Sequence, residues 1–87
     1  MKIEYDRVKR AETLVKRGLD MADAVHVFAD EIETLVDDRN DYGEVRFVTV
    51  GRMLGRMMFV AWTPRGEARR IISIRKANGR EVARYSD

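Results

Sequence analysis

Between Val45 and Arg75 the chain runs through three stretches, VRFVTVG, RMMFVAWT and EARRIISIR, separated only by RMLG and PRG. Each stretch is rich in β-branched, aromatic or other apolar residues, and each break carries the glycine that tight turns favour. That pattern predicts an antiparallel meander. Apolar residues occupy both parities of the alternation. Val48, Val50, Met58, Val60, Ile72 and Ile74 fall on one, and Phe47, Phe59, Ala61 and Ile71 on the other. A sheet with two apolar faces needs cover on both, so the rest of the chain has to supply helices.

The segment before the meander has the right signals. KIEYD alternates Ile3 and Tyr5 as a short strand would, and Asp6 stands as an N-cap for a helix from about Arg7 to Arg17. Val8, Ala11, Leu14 and Val15 recur there at helical spacing, and Gly18 closes the helix. Asp20 and Asp23 open a second helix, with Met21, Ala24, Val25 and Phe28 as its apolar stripe. A possible strand, Ile32 to Val36, leads into an acidic, turn-rich stretch expected to be mobile. A third helix is expected from Ala77 to about Tyr85. The two N-terminal helices are expected to cover one face of the sheet and the tail helix part of the other. With 87 residues this makes a single α+β domain over residues 1–87.

Composition narrows the function. No apolar run approaches the roughly 20 residues of a membrane span, and MKIEYDRVKR lacks the apolar core of a secretion signal. With no cysteine in the chain, a cytoplasmic location is expected. His26 is the single histidine, so no zinc or iron–sulfur set can be assembled, and only a carboxylate site for a hard cation stays open. His26 itself reads as a structural residue of the second helix, and Met53, Met57 and Met58 as gap fillers. No phosphate-binding glycine loop, G-x-S-x-G turn or H-E-x-x-H motif is present, so no cofactor is expected. Charge is unevenly spread. Residues 1 to 43 hold 7 Lys/Arg against 11 Asp/Glu, giving −4, whereas residues 44 to 87 hold 10 against 4, giving +6. Nine of those ten cations are arginines, the side chain best suited to phosphate. A polyanion can dock there, or the basic sheet can complement the protein's own acidic segment.

Two groups of residues can carry chemistry. Arg46 and Arg70 begin strands that run the same way, and Trp62 ends the strand between them, so the three are expected at one end of the sheet. If the registers keep them on one face, two guanidinium groups flank an aromatic ring, which suits a phosphate or a stacked base. As an alternative, Trp62 belongs to the core and the arginines pair with acidic neighbours. At the other end, Arg75 and Lys76 precede the tail helix, on which Glu81 and Tyr85 are four apart and share a face. RNA cleavage without a metal needs a proton acceptor, a proton donor and a cation for the pentavalent phosphorus, and Glu, Tyr and Arg can supply these. Glu81 and Arg84 can equally form an ordinary surface ion pair.

The order of these segments resembles the BrnT family, ribonuclease toxins of bacterial type II toxin-antitoxin modules. YDRVKRAETLVKRGLDMADAVHVFAD is similar to the family's opening, with its elements on Tyr5, Asp6, Lys9, Lys16, Gly18, Val27, Phe28 and Asp30. RFVTVGR resembles an R-x-x-x-x-G block on Arg46 and Gly51. RRIISIRKANGREVARY resembles the more specific R-I-I-S-x-R-x-A-x-x-x-E-x-x-x-Y block, on Arg70, Ile71, Ile72, Ser73, Arg75, Ala77, Glu81 and Tyr85. Three positions depart from the pattern: Tyr5 stands for a tryptophan, Thr13 for an asparagine and Arg17 for a histidine. The resemblance implies a RelE-like fold and metal-independent endoribonuclease activity that stops translation. It also implies a BrnA-type antitoxin with a ribbon-helix-helix part, in a complex holding two toxins. Arg46, Arg70, Arg75, Glu81 and Tyr85 are then the expected catalytic residues, and Trp62, Arg69, Lys76 and Arg80 the expected RNA contacts. The rival expectation is a non-catalytic module that uses the same basic face to bind nucleic acid or an acidic protein.

Overall fold

The structure, a computed structural model, describes residues 1–86. Its elements run β1 (Lys2–Glu4), α1 (Arg7–Arg17), a 3-10 turn (Met21–Asp23), α2 (Ala24–Ala29), β2 (Glu31–Val36), β3 (Phe47–Met53), β4 (Arg56–Arg65), β5 (Ala68–Lys76) and α3 (Gly79–Tyr85). The boundaries follow the local chemistry. Asp6 accepts from the Lys9 N–H at 3.0 Å to begin α1. Gly18, in the left-handed region at φ 67°, ends it. The second helical segment is split, with Asp20 capping a 3-10 turn that passes into α2.

The five strands form one sheet in the order β1-β5-β4-β3-β2. β2 to β5 are the antiparallel meander, with β3 and β4 joined through Leu54 and Gly55, both at positive φ. β1 departs from the expectation of a purely antiparallel sheet. It lies along β5 in parallel, pairing Lys2 with Ala68, so the sheet is mixed. A three-residue strand carries no local mark of a partner more than sixty residues away.

Register sorts the apolar residues differently from number parity. Directly paired residues share a face, and Val48 pairs with Ala61 while Val60 pairs with Ile74. Val48 and Val50 therefore lie with Phe59 and Ala61, not with Met58, Val60 and Ile74. At Ile72 one extra residue bulges from β5, since Ala61 faces Ser73 but Trp62 faces Ile71. The core face thus gathers Met58, Val60, Trp62, Ile71 and Ile74 against Leu19, Met21, Ala24, Val27 and Phe28. Gly51 lets α2 rest directly on β3, because a Cβ there would stand 2.3 Å from the Val27 carbonyl oxygen. Thr49, fully buried beneath α2, accepts from Trp62 Nε1 at 2.8 Å and shares a hydrogen bond with Thr34, so its hydroxyl is satisfied.

α1 does not cover the sheet. None of its residues is buried, and the Val8, Ala11, Leu14, Val15 stripe stays outside the core. β1 lines β5 only along Ala68–Arg70, and α1 follows on past it, with Arg17 Nη1 donating to the Ile74 carbonyl at 2.9 Å. Arg10 holds Asp20 through two bonds of 2.8 and 2.9 Å. The 3-10 turn and α2 already fill the core face, which leaves the apolar stripe of α1 without a place there. α3 takes part of the opposite face, where Tyr85 meets Phe59 edge-on with ring centroids 6.0 Å apart. Between β2 and β3 the acidic stretch winds around buried Asp37, which accepts from Arg39 at 2.8 and 2.9 Å. No helix among the described residues is long and apolar enough to cross a membrane.

Candidate active site

The sequence N-G-R-E at the start of α3 forms a reciprocal cap. Asn78 Oδ1 accepts from the Glu81 N–H at 2.8 Å, and a Glu81 carboxylate oxygen accepts from the Asn78 N–H at 2.9 Å. This turns Glu81 back towards the end of β5, where Arg75 grips it with two parallel bonds, both 2.8 Å. The Arg75 guanidinium also lies over the Phe59 ring, 4.5 Å from its centroid. One helical turn beyond Glu81, Tyr85 completes a cleft of about 330 Å³, whose lining includes Ser73, Ala61, Arg39 and Arg84. Glu81 therefore pairs with Arg75 rather than with Arg84.

The electrostatics assign different characters to these groups. The Arg75 hydrogen bonds, outweighing burial, pull the Glu81 carboxyl down to about 2. Glu81 is thus ionised throughout the neutral range and a poor carrier of protons. The bond to Glu81 in turn raises the Arg75 pKa, keeping its charge in place. Burial, helped by the nearby Glu33 charge, pushes the Tyr85 phenol above its ordinary value. Tyr85 is protonated at neutral pH and can give a proton to a leaving oxygen.

Arg46 and Arg70 are elsewhere. They line a second hollow, of about 520 Å³, together with Lys9, Thr63, Arg65 and Glu44. Arg46 stacks over Tyr42 at 3.8 Å and donates to Glu44 at 3.4 Å, while Arg70 donates to Glu4 at 3.4 Å. Thr63 pairs with Arg70 and Phe59 with Arg75, so both hollows open on the same face of the sheet. Thr63 and Phe59 are four residues apart on β4, so the paired Arg70 and Arg75 stand roughly 13 Å apart along the sheet. The five residues expected to be catalytic, Arg46, Arg70, Arg75, Glu81 and Tyr85, therefore fall into two separate sites.

Trp62 does not stand between Arg46 and Arg70. It lies on the core face, stacked on Phe47 with centroids 4.8 Å apart, and Thr63 occupies the place expected for it. Arg69 closes over the Trp62 and Phe28 rings at 4.2 and 4.6 Å, away from both hollows. Lys76, opposite Met58, is directed to the core side of the sheet. Arg80 is exposed on α3, and His26 is exposed beside Asp23. Sequence reasoning passed over Arg39, Ser73 and Arg65. Of these only Ser73 had a local signal, its place in the R-I-I-S-x-R string. Among the described residues no group of three or more His, Cys, Asp or Glu could hold a metal ion.

A family model described as the ribonuclease toxin BrnT of type II toxin-antitoxin systems matches residues 5–81. No curated protein matches the chain.

Proposed function

The chain belongs to the BrnT ribonuclease toxins of type II toxin-antitoxin systems, and from that premise we propose that it cuts RNA in the Arg75–Glu81–Tyr85 cleft without a metal ion. The observation that carries this reading is the Arg75 guanidinium, held by Glu81 on one side and by Phe59 beneath, beside a protonated phenol in an open cleft. In this reading the 2'-oxygen of a nucleotide attacks the adjacent phosphorus and its proton leaves to solvent. Arg75 offsets the charge that builds on the phosphoryl oxygens, with Arg39 and Arg84 on the cleft wall. Tyr85 protonates the departing 5'-oxygen, leaving a 2',3'-cyclic phosphate. Glu81 acts through Arg75 and is a positioning residue. Arg46 and Arg70, out of reach of that phosphate, hold another phosphate further along the strand.

The same reading carries a RelE-like fold, action in the cytoplasm and arrest of translation. The partner is a BrnA-type antitoxin with a ribbon-helix-helix part, in an assembly with two toxins. The test is to incubate the purified, folded chain with RNA in excess EDTA and to examine the fragment ends. Cyclic phosphate ends in EDTA, lost in Arg75→Ala, are expected. Cleavage that stops in EDTA and returns with magnesium refutes the metal-free step, and full cleavage by Arg75→Ala refutes the site. Salt-sensitive binding with no product points to a non-catalytic binding module instead.

A further inference from the structure

The outward apolar face of α1 lies outside the core and is largely exposed. At 100° per residue, Val8, Ala11 and Val15 fall within roughly a 60° arc. Arg10 and Arg17, which tie the helix to Asp20 and to the Ile74 carbonyl, point to the other side. Val8 is 67% and Val15 87% exposed, and Leu14 borders them at 43%. An apolar seam at this spacing is what a helix presents to another helix. It is also preorganised, because α1 is capped at both ends and clamped by Arg10 and Arg17.

The charges beside the seam choose the occupant. Arg7, Lys9 and Lys16 have no ion-pair partner among the described residues, and Glu12 is the single acid within α1. A second copy would set these cations against their own kind, whereas an acidic amphipathic helix would satisfy both the seam and its border. In a toxin of this class the protein partner is the antitoxin. We infer that α1 is a docking helix for an acidic amphipathic helical segment of the cognate antitoxin, with Val8, Ala11 and Val15 as the apolar seam and Arg7, Lys9 and Lys16 as its charged border. The inference rests on the toxin-antitoxin reading above. Val8, Lys9 and Glu12 also wall the hollow of Arg46 and Arg70, so an occupant of the seam closes that hollow too.

The experiment co-expresses the chain with the antitoxin encoded in the adjoining frame and measures the affinity of the purified partners. Val8→Glu/Val15→Glu is the first variant. Both positions are exposed and glutamate favours helix over valine, so the fold is kept. The melting temperature is expected to stay at the wild-type level, as is RNA cleavage without antitoxin by Val15→Glu alone, which lies outside the hollow of Arg46 and Arg70, while antitoxin binding by the double variant weakens at least 100-fold. Lys9→Glu/Lys16→Glu, a second variant, is expected to slow association and to flatten its salt dependence. Binding by the valine double variant within threefold of wild type overturns the inference and leaves the toxin-antitoxin reading intact, the free edge of β2 being another place to dock. Failure of the wild-type chain to bind the antitoxin overturns both. Self-association of the free chain that the valine variant abolishes overturns the inference in favour of a second copy.

Discussion

Replacing Glu81 with glutamine tests how the cleft is held. Glutamine keeps an acceptor for the Asn78 N–H, so the reciprocal cap survives and the change isolates the fork to Arg75. Taken at face value, a carboxyl displaced from 4.5 to about 2 corresponds to about 3 kcal/mol. The Arg75 side chain, however, is 43% exposed, and solvent screening limits such a pair to about 1 kcal/mol. For a domain of this size that lowers the melting temperature by about 4–8 °C at pH 7. The folded-state pKa of Glu81 lies below its usual value, so the stabilisation is complete above about pH 4.5 and is lost as the pH falls towards 2. Asp20 and Asp37 also titrate below their ordinary values, and the whole protein weakens in acid. The gap between wild type and Glu81→Gln removes that shared loss. Thermal unfolding followed by circular dichroism is expected to show the gap at pH 7 and its closure near pH 2. No gap at pH 7, or one that persists unchanged at pH 2, refutes the assignment of Glu81 as the anchor of Arg75.

Tyr85→Phe is expected to slow RNA cleavage by roughly 10²–10⁴-fold with little change in melting temperature. The acid form of the phenol is the active one, so wild-type cleavage should decline on this account only above the ordinary phenol range. A phenylalanine variant of full activity removes Tyr85 from the reaction. Gly51→Ala forces a methyl group against the Val27 and Asp30 carbonyls, at 2.3 and 2.9 Å. Denaturant unfolding should show a loss of about 3 kcal/mol. Thr49→Val leaves the buried Trp62 N–H without an acceptor, a loss of about 1–3 kcal/mol. The same titration, read by tryptophan fluorescence, checks it.

Local chemistry was enough to mark most elements, because caps and turns are decided by residues a few positions apart. Asp6 and Gly18 bound α1, and the breaks at Leu54–Gly55 and Gly66 divide the meander as expected, whereas α3 begins at Gly79 behind the Asn78 cap, two residues later than the expected Ala77. The resemblance carried by the R-I-I-S-x-R string agrees with the family match over residues 5–81. It also marked Gly51, whose need for a bare backbone appears only where α2 crosses β3.

What the chain's order cannot state is which side a strand residue faces after an irregularity. Ile71 and Ile72 are chemically equivalent, so nothing local says that the bulge falls at Ile72. Yet that one extra residue places Arg75 opposite Phe59 rather than Met58, and so on the same face as Arg70. The apolar stripe of α1 likewise reads as core until α2 is seen to have filled the space. Glu81 could turn to Arg84 within its own helix or to Arg75 across the loop, and only the close of β5 against α3 selects Arg75. Caps, turns and charge distribution belong to the sequence because their partners are near in the chain. Facing and cover belong to the tertiary structure, because they depend on pairings between distant segments and on which surfaces have already been filled.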